Sequence, residues 1–336
     1  MPLLYSIAVG AYHAAVRVAA LWNPKARAWV QGRKGLWERL EAKREVLQGC
    51  LWVHAASVGE FEQGLPVLEA IKAAHPGMPV LVTFYSPSGY EARKGLGTGR
   101  PDGLVTHVDY LPPDSAANAR RMVDLLRPRS VLWVKYEFWY HHLHALKAAQ
   151  VPTFLVSGIF RPSQPFFRWF GGAWRSMLGC FAHLFVQNEA SRDLLSGIGV
   201  REVTLSGDTR FDRVAGILRA NEGLAVAKAF RSTTSAPVLI CGSTWPADER
   251  IILEALKRLK APPRIMIAPH EVTEQQLSSI AARFPPPVIT WSSSAGAMGN
   301  TLLMDVTGVL ARAYRYGDIA YIGGGFGDGI HSLRES

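Results

Sequence analysis

The sequence predicts an α/β protein made of two parallel-sheet domains with helices on both faces. Short apolar runs alternate with helical stretches along the chain, the pattern of strands buried on both faces. The rhythm restarts after a junction near Phe211–Pro237. The chain has 336 residues, more than the ~100–200 of one ordinary domain.

The elements follow in order. Leu3–Trp22 is an apolar stretch containing His13 and Arg17 and followed by Lys25, Arg27, Arg33 and Lys34. It predicts a helix that inserts into or lies on a membrane with a basic flank; a long apolar helix docked on its own domain is the alternative. Leu51–His54 predicts a strand, Phe61–Ala74 a helix, Pro79–Phe84 a strand, Ser86-Pro87-Ser88-Gly89 a turn, and Leu104–Tyr110 a strand. A helix over Ser115–Leu126 precedes strands at Ser130–Val134, Thr153–Val156, Leu184–Val186 and Val203–Ser206. The second series has strands at Val238–Cys241, Arg264–Ala268 and Ile319–Ile322, with helices after Pro246 and from Thr273.

Composition narrows the classes. With 48% hydrophobic and 19% charged residues the chain is globular, neither disordered nor collagen-like. Three scattered cysteines, Cys50, Cys180 and Cys241, fit a reducing compartment and exclude a disulfide scaffold or structural zinc module. A net charge of +10 favours anionic partners: nucleotides, phospholipid surfaces, phosphorylated glycans or nucleic acid.

Parallel sheets bind ligands at the carboxyl ends of their strands, so chemistry is sought there. Ser57-Val58-Gly59-Glu60 places a carboxylate at a strand exit, either as a general base or as a first-turn partner of the helix dipole. Lys135-Tyr136-Glu137-Phe138-Trp139 places a second one among aromatics, with an ion pair to Lys135 as the bland reading. His141, His142 and His144 lack a zinc-protease spacing and read as solvent-facing histidines on a helix. Arg210, in Gly207-Asp208-Thr209-Arg210, can hold phosphate or pair with Asp208 or Asp212 at the surface. Pro269-His270 ends another strand, and Gly323–His331 is glycine-rich enough for backbone N–H groups to approach a phosphate. Asp-x-Asp is absent, which argues against a sugar transferase holding its nucleotide through a metal. The segment Phe160–Phe170, with Trp174 and Arg175, suits a lipid headgroup layer or a core edged by solvated arginines.

Taken together, Ser57–Glu60, Tyr136–Trp139, Ser157–Arg161, Gln187–Glu189, Gly207–Asp212, Gly242–Trp245 and the terminal glycine run resemble the 3-deoxy-D-manno-octulosonic acid (Kdo) transferases of lipopolysaccharide synthesis, in that family's order. The resemblance implies a GT-B glycosyltransferase fold, with two Rossmann-like domains facing across a cleft. It implies a membrane-associated helix over 1–24, an acceptor domain over 25–215 and a CMP-Kdo domain over 216–336. It further implies inverting, metal-independent transfer of Kdo from CMP-Kdo to a lipid A precursor, lipid IVA, at the cytoplasmic face of the cell inner membrane. The partners would be that donor, that acceptor and the anionic lipid surface, with no nucleic acid and no cofactor.

Residue by residue, Glu60 matches the family's proton acceptor. Glu137 and Arg210 match groups assisting the transition state, Arg210 standing where lysine is usual. Pro269, His270, Thr307, Gly308 and Val309 match CMP contacts, His270 standing where arginine is frequent. Ser332, Leu333, Arg334 and Glu335 match a stretch usually written Asn-Pro-Leu-Glu, of which Glu335 alone keeps its identity. Family members continue beyond the position matching Ser336, so the second domain is expected to be truncated. Two other readings stay open at this point: a different GT-B nucleotide-sugar enzyme, transferase or epimerase, and a non-catalytic membrane-bound binder of lipid or nucleotide.

Overall fold

The computed structural model describes residues 2–135, 137–219, 223–233, 235–293 and 299–326. The chain divides into two units, Met1–Arg213 and Val214–Ser336. Among the described residues the first holds seven strands: β1 (Leu51–Ala55), β2 (Val80–Phe84), β3 (His107–Tyr110), β4 (Ser130–Val134), β5 (Thr153–Gly158), β6 (His183–Val186) and β7 (Val203–Leu205). They pair in the order β3-β2-β1-β4-β5-β6-β7, and every pairing is parallel. The side chains alternate between two cores. Trp52, Leu81, Val131 and Trp133 enter one; Leu51, Val53, Val80, Val82 and Leu132 enter the other. Burial on both faces is what makes these strands read as continuous apolar runs.

Capping residues set where the helices begin. Ser115 starts Ala116–Leu126 by accepting the Asn118 N–H, and Thr273 starts Glu274–Arg283 by accepting the Gln276 N–H. The expected turn at Ser86–Gly89 is instead the first turn of a helix, Pro87–Arg93. Ser86 Oγ accepts the Gly89 N–H at 3.1 Å and Pro87 occupies the first helical position, where its missing N–H costs nothing. His142 also departs from expectation. It is fully buried, because its helix, Tyr140–Ala148, packs that face against Ala116–Leu126. Its backbone N–H reaches Asp114 at 3.0 Å, and its ring Nε2 lies 3.2 Å from the Pro112 carbonyl.

A buried ion pair ties the amino-terminal segment to the sheet edge. Asp109 has no solvent exposure and receives Arg39 Nη2 at 2.6 Å and Nε at 2.9 Å. Burial alone would raise its pKa, but His107, Arg39 and the Tyr110 N–H hold it below the usual carboxylate range. Arg39→Met leaves that buried charge to His107 and the Tyr110 N–H. A loss of roughly 2–4 kcal/mol is expected in urea unfolding, the low end of the buried-pair range because Arg39 is itself partly exposed.

The second unit holds β8 (Val238–Thr244), β9 (Arg264–Pro269), β10 (Val288–Thr290), β11 (Thr301–Leu303) and β12 (Ile319–Ile322). Their order is β10-β11-β9-β8-β12, again parallel throughout. The strands β10 and β11 were not expected from the sequence. Each has only three residues, too few to show a period; β11 is defined by its pairing with β9, and β10 by its pairing with β11.

At the amino terminus, helix Pro2–Ala19 is followed by helix Pro24–Gly32. No single described helix is long and apolar enough to cross a membrane; the two together meet the length and composition but are bent by 114°. One side of the first helix is docked: His13 is buried and stacks on Trp29 at 5.3 Å, and Tyr5 Oη donates to Asp114 at 2.7 Å. The other side leaves Leu3, Leu4, Ile7 and Val18 exposed.

Candidate functional site

The first sheet changes direction between β1 and β4, and a crevice at such a point lies outside the strands' carboxyl ends. Glu60 leaves β1 and Glu137 leaves β4, so the topology brings these two carboxyls to neighbouring strand exits. Ser57 caps the helix Val58–Ala74 by accepting the Glu60 N–H at 3.4 Å, while Glu60 Oε2 accepts the Ala56 N–H at 2.6 Å. This reciprocal cap orients the carboxylate and leaves its second oxygen outside the cap. Burial raises the Glu60 pKa, partly offset by the Ala56 N–H and the Lys135 charge.

Glu137 sits in a loop fixed from below, the Trp133 indole N–H donating to its carbonyl oxygen. Its Oε2 is buried without a hydrogen-bond partner. Burial first, and the charge of Glu60 second, push its pKa up to about 7. Burial thus raises both carboxyls, and the charge of Glu60 adds to the rise at Glu137. Tyr136 lies outside the described residues.

Lys135 has signals that sequence reasoning gave little weight. Its φ is +68°, a left-handed conformation that is costly for a side chain other than glycine. The Lys135 charge acts on Glu60, whose carboxylate the Ala56 N–H holds. Nothing local in the sequence marks that backbone angle.

Arg210 opens the helix Arg210–Arg219 and is held by Asp208, with Nη2 to Oδ2 at 2.8 Å and Nε to Oδ1 at 3.1 Å. Asp208 is buried, so this pair is more than a surface contact. The turn before it is braced: Ser157 Oγ and Thr209 Oγ1 lie 2.6 Å apart, and Thr209 Oγ1 donates to the Gln63 carbonyl at 2.5 Å. Gln63 is on the helix that carries Glu60, so the Arg210 turn is seated against that helix. Arg210→Lys is expected to keep most of the turnover, because it keeps the charge. Arg210→Ala is expected to lower it on the order of 10²-fold, the cost of losing one preorganised electrostatic contact. Steady-state kinetics of both variants makes the check, and equal losses would assign the effect to guanidinium shape.

In the second unit, Pro269 ends β9 and His270 follows, its N–H bonded to the Thr244 carbonyl at 2.9 Å. The His270 ring stacks on Trp245 at 4.4 Å and 22°, so the exits of β8 and β9 together carry a flat aromatic step. Trp245 belongs to the Gly242–Trp245 motif, but its stacking role was not legible there. Thr307, Gly308 and Val309 lie in the loop after β11; Gly308 has φ +82° and precedes the short helix Leu310–Ala313. At the exit of β12, a Cβ on Gly323 would lie 2.3 Å from the Ser243 carbonyl oxygen, so only glycine fits there. The Gly324 N–H is bonded to Asp248 at 3.0 Å. Ser332, Leu333, Arg334 and Glu335, with the end of the glycine run, lie outside the described residues. Among the described residues, no group of three or more His, Cys, Asp or Glu is placed to hold a metal ion.

The family model described as "3-Deoxy-D-manno-octulosonic-acid transferase (kdotransferase)" matches residues 30–213, more than half of the chain. A 3-deoxy-D-manno-octulosonic acid transferase of Bordetella pertussis is 27% identical over 292 residues, covering 82% of this chain and 66% of the relative. One from Aquifex aeolicus (strain VF5) is 26% identical over 293 residues, covering 86% and 73%. The chain thus spans about two thirds of the length of such relatives. Among solved structures, a UDP-GlcNAc 2-epimerase from Neisseria meningitidis superimposes with a TM-score of 0.52 at 16% identity, covering 79% of this chain and 74% of that one. The Methanocaldococcus jannaschii UDP-GlcNAc 2-epimerase gives 0.51 at 12%, covering 78% and 75%. At these identities the likeness speaks for the fold alone, the GT-B type with two parallel-sheet α/β units.

Proposed function

The chain belongs to the 3-deoxy-D-manno-octulosonic-acid transferase family, and from that premise we propose that it transfers Kdo from CMP-Kdo to a lipid A precursor, lipid IVA, in lipopolysaccharide synthesis. The observation that carries the reading is the pair of carboxyls at neighbouring strand exits, Glu60 oriented by a helix cap and Glu137 buried with a pKa near 7.

A sugar hydroxyl is a weak nucleophile until a base takes its proton, and ionised Glu60 fills that role. Glu137 beside it, its pKa pushed up to about 7, holds its proton below that pH and can offer it to a hydrogen bond. As the anomeric carbon gains oxocarbenium character, the departing CMP gains negative charge, and the Arg210 cation would stabilise it. One base and no covalent intermediate lead to inversion at that carbon. Cationic groups and backbone dipoles take the place of a metal in this scheme.

The apolar outer side of the first helix and the basic residues after it support an interfacial position at the cytoplasmic face of the inner membrane. The deciding experiment incubates the full-length protein with CMP-Kdo and lipid IVA and weighs the lipid. A mass increase of one or more Kdo units, absent with UDP- or ADP-sugars, is the expected result; no increase would overturn the reading.

A further inference from the structure

Between β5 and β6 the chain forms a loop with an aromatic tip. Trp169 is 92% exposed and Phe170 50% exposed, their rings meeting edge to face at 5.6 Å. Two large rings left in water forgo ~25 cal/mol for every Å² of apolar surface that could be buried. The exposure is built in, because the backbone behind the tip is braced. Arg175 Nη1 donates to the Phe166 and Arg168 carbonyls, each at 3.0 Å. The Gly171 N–H bonds to the Arg168 carbonyl at 2.9 Å, and a Cβ on Gly171 would lie 2.1 Å from the Pro165 oxygen, so only glycine closes this turn.

The foot of the loop stands on the catalytic segment. Phe166 is buried and meets Phe138 edge-on at 4.7 Å. A cavity of ≈ 280 Å³ opens there, lined by Glu137, Phe138, Trp139, Gln164, Phe166 and Trp174. The amino-terminal helix reaches the next residues of the same segment: the Tyr5 ring lies 5.3 Å from Tyr140, and Ser6 Oγ is 2.8 Å from His141 Nε2. That helix exposes Leu3, Leu4 and Ile7, and the loop exposes Arg161 at its start and Arg168 next to Trp169 in the chain.

We propose that loop 161–171 is a second lipid-dipping element. Trp169 and Phe170 enter the acyl boundary of an anionic bilayer, Arg161 and Arg168 meet its phosphates, and the loop and helix bracket the Glu137 segment. A lipid-linked acceptor lying in that bilayer then meets Glu137 through the cavity at the loop's foot. Charge complementarity selects an anionic lipid surface as the occupant: aromatic rings flanked by arginines match a headgroup layer, rings inside and cations at the phosphates. The acceptor part rests on the transferase reading; the insertion itself does not.

The test uses the whole chain with vesicles of phosphatidylethanolamine and phosphatidylglycerol whose acyl chains carry bromine, a quencher of tryptophan fluorescence. Trp169→Phe is expected to remove a large part of the bromolipid quenching while still binding. Trp169→Ser with Phe170→Ser is expected to weaken vesicle binding on the order of ten-fold or more. It should also raise KM for an acceptor embedded in vesicles, with turnover on detergent-solubilised acceptor unchanged. Both sites are exposed, and an unaltered thermal midpoint checks that the variants fold. Quenching undiminished by Trp169→Phe, with partitioning unmoved by the double variant, overturns the proposal. So does a concentration-dependent dimer that the double variant abolishes without changing vesicle binding, since the tip then covers a second copy. Absence of turnover in every sample, with quenching still lost in Trp169→Phe, sinks the transferase reading and leaves the insertion standing.

Discussion

Glu60→Gln should lower turnover by ~10²–10⁴-fold, the usual contribution of a positioned general base. The substitution is nearly isosteric, and a glutamine oxygen can still accept the Ala56 N–H that Glu60 accepts at 2.6 Å. The helix cap and the local fold therefore survive, and the loss reports on the carboxylate of Glu60, including its charge on Glu137. Affinity for CMP-Kdo should barely change, because Glu60 lies in the first unit and the residues matched to CMP contacts lie in the second. Single-turnover kinetics with saturating donor, alongside calorimetric donor binding, make the measurement. Turnover within a few fold of the wild type would remove Glu60 from the role of base.

Glu137 governs the second large effect, a pH dependence. Its pKa is pushed up to about 7 by burial and by Glu60, against an ordinary value near ~4.3. Activity is expected to rise as Glu60 ionises and to fall above about pH 7 as Glu137 loses its proton. The two limbs belong to the interacting pair and not to either residue singly. Glu137→Gln keeps a neutral hydrogen-bonding group but cannot ionise. It should lose the alkaline limb and, at the optimum, on the order of 10²-fold in turnover. A pH–rate profile of kcat for both proteins decides this; an unshifted alkaline limb in the variant would assign it elsewhere. Stability carries the same signature. A carboxyl with a folded pKa above its unfolded value stabilises fully below the unfolded pKa and loses that contribution as pH rises through the folded one. The thermal midpoint should therefore fall between about pH 4.3 and 7 in the wild type and stay flatter in Glu137→Gln.

Much of the scaffold was legible along the chain because its signals are local. Ser130–Val134 and Ile319–Ile322 are strands over the residues their apolar runs mark, and Ser115 and Thr273 cap the helices they precede. A five-residue apolar run or an N-cap serine carries its information within one or two turns of chain. The family, too, was legible, because its motifs come in a fixed order and each lies at a strand exit. Where local signals competed, the reading erred. Ser-Pro at 86–87 serves a turn and a helix start equally well, and packing against the sheet chose the helix. His142 is polar by type but buried by the face its helix turns inward.

The chemistry of the site was decided at longer range. Glu60 and Glu137 are far apart in sequence, and they become electrostatic neighbours because β1 and β4 pair in parallel at the point where strand order reverses. That pairing, and the burial that accompanies it, moves the Glu137 pKa; no property of a glutamate in a run of aromatics does so. The same holds for the left-handed Lys135 whose charge acts on Glu60, for Arg210 clasped by a buried Asp208, and for a tryptophan held out in water by an arginine braced behind it. Residue type and spacing specify which elements form and which groups are available. Only the folding of distant strands into one sheet sets the distances and the dielectric at which those groups act.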